Sequence, residues 1–172
     1  MKKGEMSLRF GILTISDRSA RGEREDASGP ALEAVVKTQG WSVTRRETLP
    51  DELQVIEDRL VLWADSGDID IILTTGGTGF SQRDVTPEAT QAVVERPAPG
   101  LTEAMRMASL QVTSHAMLSR AFAGIRGRTL IVNLPGSPKG AIENFRVILP
   151  VMQHAVDLLS ENPASEVGHQ LI

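Results

Sequence analysis

The unbroken apolar run Ile71-Ile72-Leu73, which passes directly into Thr74-Thr75-Gly76-Gly77-Thr78-Gly79, constrains this chain most. A strand with large aliphatic side chains on both faces must be covered on both sides, as in a parallel sheet held between two helical layers. The glycines that follow end the strand in a sharp turn. Leu8 to Ile15, Trp41 to about Leu49, Met117 to Ile125 and Thr129 to Leu134 also read as strands, with Arg126-Gly127-Arg128 as a hairpin.

Helical patterns alternate with these strands. Ser28 is a candidate cap, Pro30 lies in the first turn, and Ala31, Leu32, Val35 and Val36 form a stripe that Gly40 closes. Pro50-Asp51-Glu52 opens a second helix with Leu53, Ile56, Leu60 and Trp63 on one face. Thr86 caps and Pro87 begins a third, to about Glu95. A fourth runs from Leu101 to about Gln111, with Met105 and Met107 read as packing. The last spans Pro138 to about Glu161, kinked at Pro150 and ending near Glu161-Asn162-Pro163. This order predicts an α/β fold of three layers, α/β/α, with a mostly parallel sheet and one antiparallel hairpin strand. The 172 residues suit a single domain, 1–172, with a core of about 8–162 and short flexible termini.

Composition excludes several function classes. A net charge of -4 without a run of one sign argues against nucleic acid as a partner. The absence of cysteine removes disulfides, thiolate catalysis and cysteine zinc sites. His115, His154 and His169 lack metal-ligand spacing and read as surface or packing residues. Arg9 interrupts the first apolar stretch, so no signal peptide or membrane span is expected, and the predicted location is cytoplasmic, without a membrane partner.

In open α/β sheets ligands lie off the carboxyl ends of the strands, so four turns carry the chemistry: Ser16-Asp17, Pro50-Asp51-Glu52, Thr74 to Pro87, and Asn133 to Lys139. Three glycines in the four positions 76 to 79 can aim successive N–H groups at an anion, and equally can make a tight turn. The loop is neither a Walker A nor a GxGxxG motif. Arg83-Asp84-Val85-Thr86-Pro87-Glu88 brings a cation, a carboxylate and a helix start to the same strand end. Asp84 is either a turn or capping residue or a working carboxylate, and Asp51 either caps its own helix or acts in the site. If the two meet, a phosphate cradle beside two carboxylates suits Mg2+. Pro135-Gly136-Ser137-Pro138-Lys139 forms either a plain connection or a rigid loop with a lysine for an anion, and Ser119-Arg120 adds a hydroxyl and a guanidinium fork.

Thr75-Gly76-Gly77-Thr78-Gly79, Arg83 to Ala89, Met117-Leu118-Ser119-Arg120 and Asn133 to Pro138 together resemble the molybdenum cofactor biosynthesis family that includes MogA, MoaB and the G domain of gephyrin. The similarity is collinear from about Phe10 to Leu159. It implies the molybdenum cofactor biosynthesis protein fold, usually trimeric, binding molybdopterin and transferring AMP from Mg-ATP to its terminal phosphate with release of pyrophosphate. On that resemblance Asp51 and Asp84 match the functional acids. The glycine loop, Ser119-Arg120 and Pro135 to Pro138 match ligand-binding segments, and Thr129 stands where related proteins can carry Ser. The expected function is molybdopterin adenylyltransferase, with hand-over of the product to a molybdenum-inserting protein. The alternatives are a molybdopterin-binding module without adenylylation activity, which would lose an acid, and a nucleotide pyrophosphatase. The fold also occurs in the inserting proteins and in a competence-damage-related family, so it does not fix the reaction. The helices Leu101 to Gln111 and Pro138 to Glu161 carry Met105, Leu110, Phe145, Ile148, Leu149, Val151, Met152, Val156, Leu158 and Leu159, and those of the final segment are too closely spaced to face a single core. Either the kink at Pro150 turns them inward or part of them is a subunit contact. With the resemblance this predicts a homotrimer, or a hexamer if two rings stack.

Overall fold

In a computed structural model, which describes residues 7–160, strand β1 (Arg9–Ile15) lies between β2 (Ser42–Leu49) and β3 (Ile71–Thr75) and pairs with both in parallel. Strand β6 (Thr129–Leu134) continues the parallel set beside β3, and β5 (Ala123–Arg126) returns antiparallel along β6. A two-residue strand β4 (Arg96–Pro97), too short to show a period in the sequence, closes the order β2-β1-β3-β6-β5-β4. Since β4 is antiparallel to β5, β5 alone runs against the rest, as expected of one hairpin strand.

Alternation along the strands explains the two helical layers. Phe10, Ile12, Ile71 and Leu73 face one core with α2 (Ser28–Thr38), α5 (Pro99–Leu110), α6 (Pro138–Ile148) and α7 (Met152–Leu159). Leu13, Ile15 and Ile72 face the other with α3 (Leu53–Ala64) and α4 (Thr86–Val93). Stripes on one side of each helix supply the opposing apolar surface. Among the described residues no helix is long and apolar enough to cross a membrane.

Several boundaries differ from expectation. Residues 114–118 form a 3-10 turn and strand β5 begins only at Ala123, because Met117 and Leu118 are exposed and have no sheet neighbour. The polar stretch after β1 contains a one-turn helix, α1 (Asp17–Ala20), capped by Ser16, whose hydroxyl accepts the N–H of Ser19. Ser28 is buried inside α2 rather than capping it; the Asp26 carboxylate accepts the Gly29 N–H at 3.0 Å instead. Pro150 breaks the last helix into α6, a 3-10 turn at Leu149–Val151, and α7. This break turns Phe145, Ile148, Met152 and Val156 into the core and leaves Val151 and Leu158 exposed. The expected flexible termini, His169 and the helix end at Asn162-Pro163 lie outside the described residues.

Candidate active site

The chain leaves β1 towards β2 on one side and reaches β3 on the other, so the loops at the carboxyl ends of β1 and β3 diverge and open a crevice. The glycine loop occupies it. Gly76 and Gly77 have φ of 104° and 64°, and a Cβ would stand 2.2 Å from the Ile15 carbonyl oxygen at the first and 2.3 Å from Thr86 Oγ1 at the second. Both positions therefore require glycine on conformation and on space.

Surrounding groups turn the loop's acceptors into the protein. Thr86 donates through Oγ1 to the Gly76 carbonyl (2.9 Å) and through its N–H to that of Gly77 (3.1 Å). Arg120 donates its N–H to Thr78 O (2.9 Å), Nε to Gly79 O (2.7 Å) and Nη2 to Asp84 O (2.5 Å), while Nη1 binds Glu88. The N–H groups of Gly77, Thr78 and Gly79 donate to no protein acceptor among the described residues. The result is a braced loop that presents donors, the arrangement that holds anions. Thr86 thus ties the loop down instead of capping α4 with its side chain. Arg120, expected as a phosphate fork, braces the same loop.

Two cavities flank it. A polar one of about 660 Å³ is lined by Thr14, Ser16, Asp26, Asp51, Thr75, Gly76, Gly77, Asp84 and Gly136 to Pro138. A more apolar one of about 370 Å³ lies on the Thr78-Gly79 side, among Met105, Arg106, Leu118, Ser119, Ala121, Pro135 and Asn144. Ser137 borders both. Lys139 lines neither: it is exposed, 3.9 Å from Glu143 one helical turn on. Thr129 lies at the opposite end of the sheet, where its hydroxyl donates to the Ala64 and Ile69 carbonyls.

The carboxylates are held across chain-distant turns. The Asp17 N–H donates to Asp51 Oδ2 (2.8 Å) and the Asp51 N–H returns to Asp17 Oδ1 (3.0 Å). Asp51 therefore does not cap α3, whose N-cap is Glu52. Asp84 makes a turn bond and also faces the polar cavity. Its Oδ2 accepts the Ser81 N–H at 2.9 Å, a turn bond, and it also lines the polar cavity, 2.9 Å from where a Cβ on Gly79 would stand. Burial pushes the Asp51 carboxyl above its ordinary value; the Asp17 N–H offsets this in part, and the charges of Asp17 and Asp84 add to the rise. Asp17 is held below its ordinary value, first by the hydrogen bonds from Arg83.

Thr14, Asp26 and Ser28 are wall residues that sequence reasoning did not select. Thr14 Oγ1 donates to Asp26 Oδ2 at 2.9 Å, and the only available signal was a hydroxyl near the end of an apolar strand. Of the apolar cavity, sequence reasoning named Thr78, Gly79, Ser119, Pro135 and Ser137 but not the walls from α5, the 3-10 turn and α6, whose residues give no common motif.

Known proteins are similar to this chain in sequence and in overall fold. A family model described as "probable molybdopterin binding domain" matches residues 11–154. The molybdopterin adenylyltransferase of Helicobacter pylori (strain 26695) is 40% identical over 158 residues, covering 91% of this chain and 90% of that protein. Gephyrin of Dictyostelium discoideum is 44% identical over 96% of this chain, which spans only 24% of that longer protein. The crystal structure of the molybdopterin biosynthesis enzyme MoaB from Thermus thermophilus superposes with a TM-score of 0.85 at 50% identity, covering 91% of this chain and 98% of that one. The agreement in sequence extends over nearly the whole domain and the architecture follows it, so the chain belongs to the molybdopterin binding domain family of molybdenum cofactor biosynthesis.

Proposed function

We propose that this chain adenylylates molybdopterin, consuming ATP and releasing pyrophosphate. The observation that carries the reading is the glycine loop itself: a braced row of N–H donors separates a carboxylate-lined polar cavity from an apolar one. The names of the relatives support it, and the chemistry of each wall assigns the substrates. The polar cavity, with Asp51 and Asp84, suits the triphosphate of ATP. The apolar one, with Met105, Leu118 and Ala121 for a flat ring and Arg106, Ser109 and Asn144 for its polar edges, suits a pterin.

In this reaction an oxygen of the molybdopterin phosphate bonds to the α-phosphorus of ATP, and the bond from that phosphorus to the β-bridging oxygen breaks, leaving pyrophosphate. The attacking phosphate monoester is largely ionised at neutral pH, so neither Asp51 nor Asp84 is needed as a base. The N–H groups of Gly77, Thr78 and Gly79 hold phosphate oxygens in place while charge shifts to the leaving group, and Ser119 and Ser137 add hydroxyl donors. Asp51 and Asp84 are the residues that would hold a magnesium ion, which when bound neutralises triphosphate charge. The donor set fits that ion. Magnesium takes one or two carboxylates and completes its shell with water and substrate phosphates, and among the described residues no three acidic or histidine side chains gather into a site complete without substrate.

The assignment is tested by incubating the protein with molybdopterin and Mg-ATP and following the mass of the pterin. Adenylyl-molybdopterin and an equivalent of pyrophosphate are expected. Pterin binding without ATP consumption would replace the enzyme with a binding module, and ATP cleavage without pterin adenylylation would indicate a nucleotide pyrophosphatase.

The active form we propose is a homotrimer acting in the cytoplasm and passing its product to a molybdenum-inserting protein. The surface that supports assembly differs from the one suggested by the last helix. Met107, Val112 and Met117 are each more than 60% exposed, and they lie on α5, on the 3-10 turn that follows it and between the two. Light scattering at micromolar concentration is expected to give about three times the 18.6 kDa chain mass. A single species at the mass of one chain would refute the trimer, and twice the trimer mass would mean stacked rings.

A further inference from the structure

Arg83 is the cation of the segment that joins the glycine loop to α4, and it lines neither of the two cavities. Its guanidinium grips Asp17 with two bonds, Nε to Oδ2 at 3.0 Å and Nη2 to Oδ1 at 2.9 Å, and Nη2 also reaches Glu52 Oε1 at 2.8 Å. Asp17 in turn holds Asp51 from both directions, through its own N–H and its Oδ1. One arginine therefore fastens the turns after β1 and β2 to the segment carrying Asp84. We propose that Arg83 is a positioning residue: by clamping Asp17 it orients the Asp51 carboxylate and so sets the affinity of the Asp51–Asp84 pair for a divalent cation bound with nucleotide. This rests on the metal-nucleotide reading of the polar cavity given above.

Two simpler roles make opposite or separable predictions. If Arg83 were only a nearby positive charge, removing it would strengthen cation binding, because a repulsive charge leaves and the Asp17 carboxylate is freed. If it gripped substrate phosphate, removing it would weaken nucleotide binding with or without metal. Orientation predicts the reverse of the first and, unlike the second, a loss confined to binding with metal. Without the clamp Asp17 is an uncompensated charge against Asp51, and the reciprocal bonds that aim Asp51 lose their anchor. Bidentate geometry matters as much as charge here, so lysine is a poor replacement.

The test measures free Mn2+ by electron paramagnetic resonance with the α,β-methylene analogue of ATP, which cannot be cleaved at that bond. Arg83→Gln is expected to weaken Mn2+ binding in the presence of analogue by about 10- to 100-fold, with Arg83→Lys intermediate and analogue affinity without metal unchanged. Asp17→Asn is expected to give a similar loss. The double variant with Arg83→Gln should weaken binding little further than either alone, because both substitutions break one linkage. In turnover, kcat should fall more than KM for ATP rises. Unchanged or tighter Mn2+ binding in Arg83→Gln overturns the proposal, as does an equal loss of metal-free analogue binding. Failure of the unmodified protein to bind Mn2+ with the analogue overturns the underlying metal-nucleotide reading, and this inference with it. Arg83 is a half-exposed surface residue, and unchanged thermal midpoints of the variants are part of the expected result.

Discussion

Asp84→Asn is expected to fold normally and bind pterin nearly as well as the unmodified protein, while adenylylating it about two to three orders of magnitude more slowly. The turn bond and the proposed role in the polar cavity make different demands on this side chain. The turn bond from the Ser81 N–H, 2.9 Å from Oδ2, needs only an oxygen acceptor, which asparagine retains. The proposed role beside a metal-nucleotide needs a negative charge on the cavity wall, where Asp84 lies, and asparagine lacks it. A carboxylate facing a metal-nucleotide contributes charge stabilisation of several kcal/mol, and each ~1.4 kcal/mol is tenfold in rate. The pterin is assigned to the other side of the glycine loop, so its affinity should hold. Single-turnover adenylylation and pterin binding measured on the same preparation check both halves. A variant with the unmodified rate would remove Asp84 from the chemistry and leave it a turn residue.

Gly77→Val should act one step earlier, on binding. Gly77 has φ of 64°, where a β-branched residue is a true outlier, and a Cβ there would lie 2.3 Å from Thr86 Oγ1 and 3.1 Å from Asp51 Oδ1. The conformational strain costs about 1–3 kcal/mol and the clash with Thr86 adds to it. The loop can relieve both only by moving, which breaks the Thr86 bonds to Gly76 and Gly77 and misaims the N–H donors. Nucleotide affinity should fall by at least about tenfold, with some loss of thermal stability, since ~1.4 kcal/mol of misplaced hydrogen bonding already gives that factor. Gly100→Ala is the matched control. Gly100 lies in the first turn of α5 with open space around its Cβ position and no positive φ, so alanine there should leave binding unchanged. Calorimetric titration with the methylene analogue of ATP distinguishes the cases, and equal affinities for the valine variant and the unmodified protein would reduce the glycine loop to a connection.

The parts of this protein that could be read from its residues are those governed by local rules. A continuous apolar run such as Ile71-Ile72-Leu73 has one economical environment, a strand covered on both sides, and that alone implies three layers. The backbone of the glycine loop was legible for the same reason, since few other sequences adopt it, whereas Asp51 and Asp84 each had a local reading as a cap or turn residue and were matched to functional acids only by the family resemblance. What was not legible depends on neighbours remote in sequence. Asp51 had a local option, capping its own helix, but Asp17, 34 residues away, offers a better donor. Thr86 and Arg120 had plausible local or ligand-facing roles, and both are taken up by carbonyls of a loop that only folding brings beside them. Met117 and Leu118 look like strand residues until the sheet ends before reaching them. The apolar cavity has walls from α5, the 3-10 turn, α6 and several loops, none of which by itself encodes a hollow. Side-chain periodicity and turn preference act within a few residues, whereas the partner of a carboxylate or a guanidinium is whichever complementary group the packed chain brings within about 3 Å.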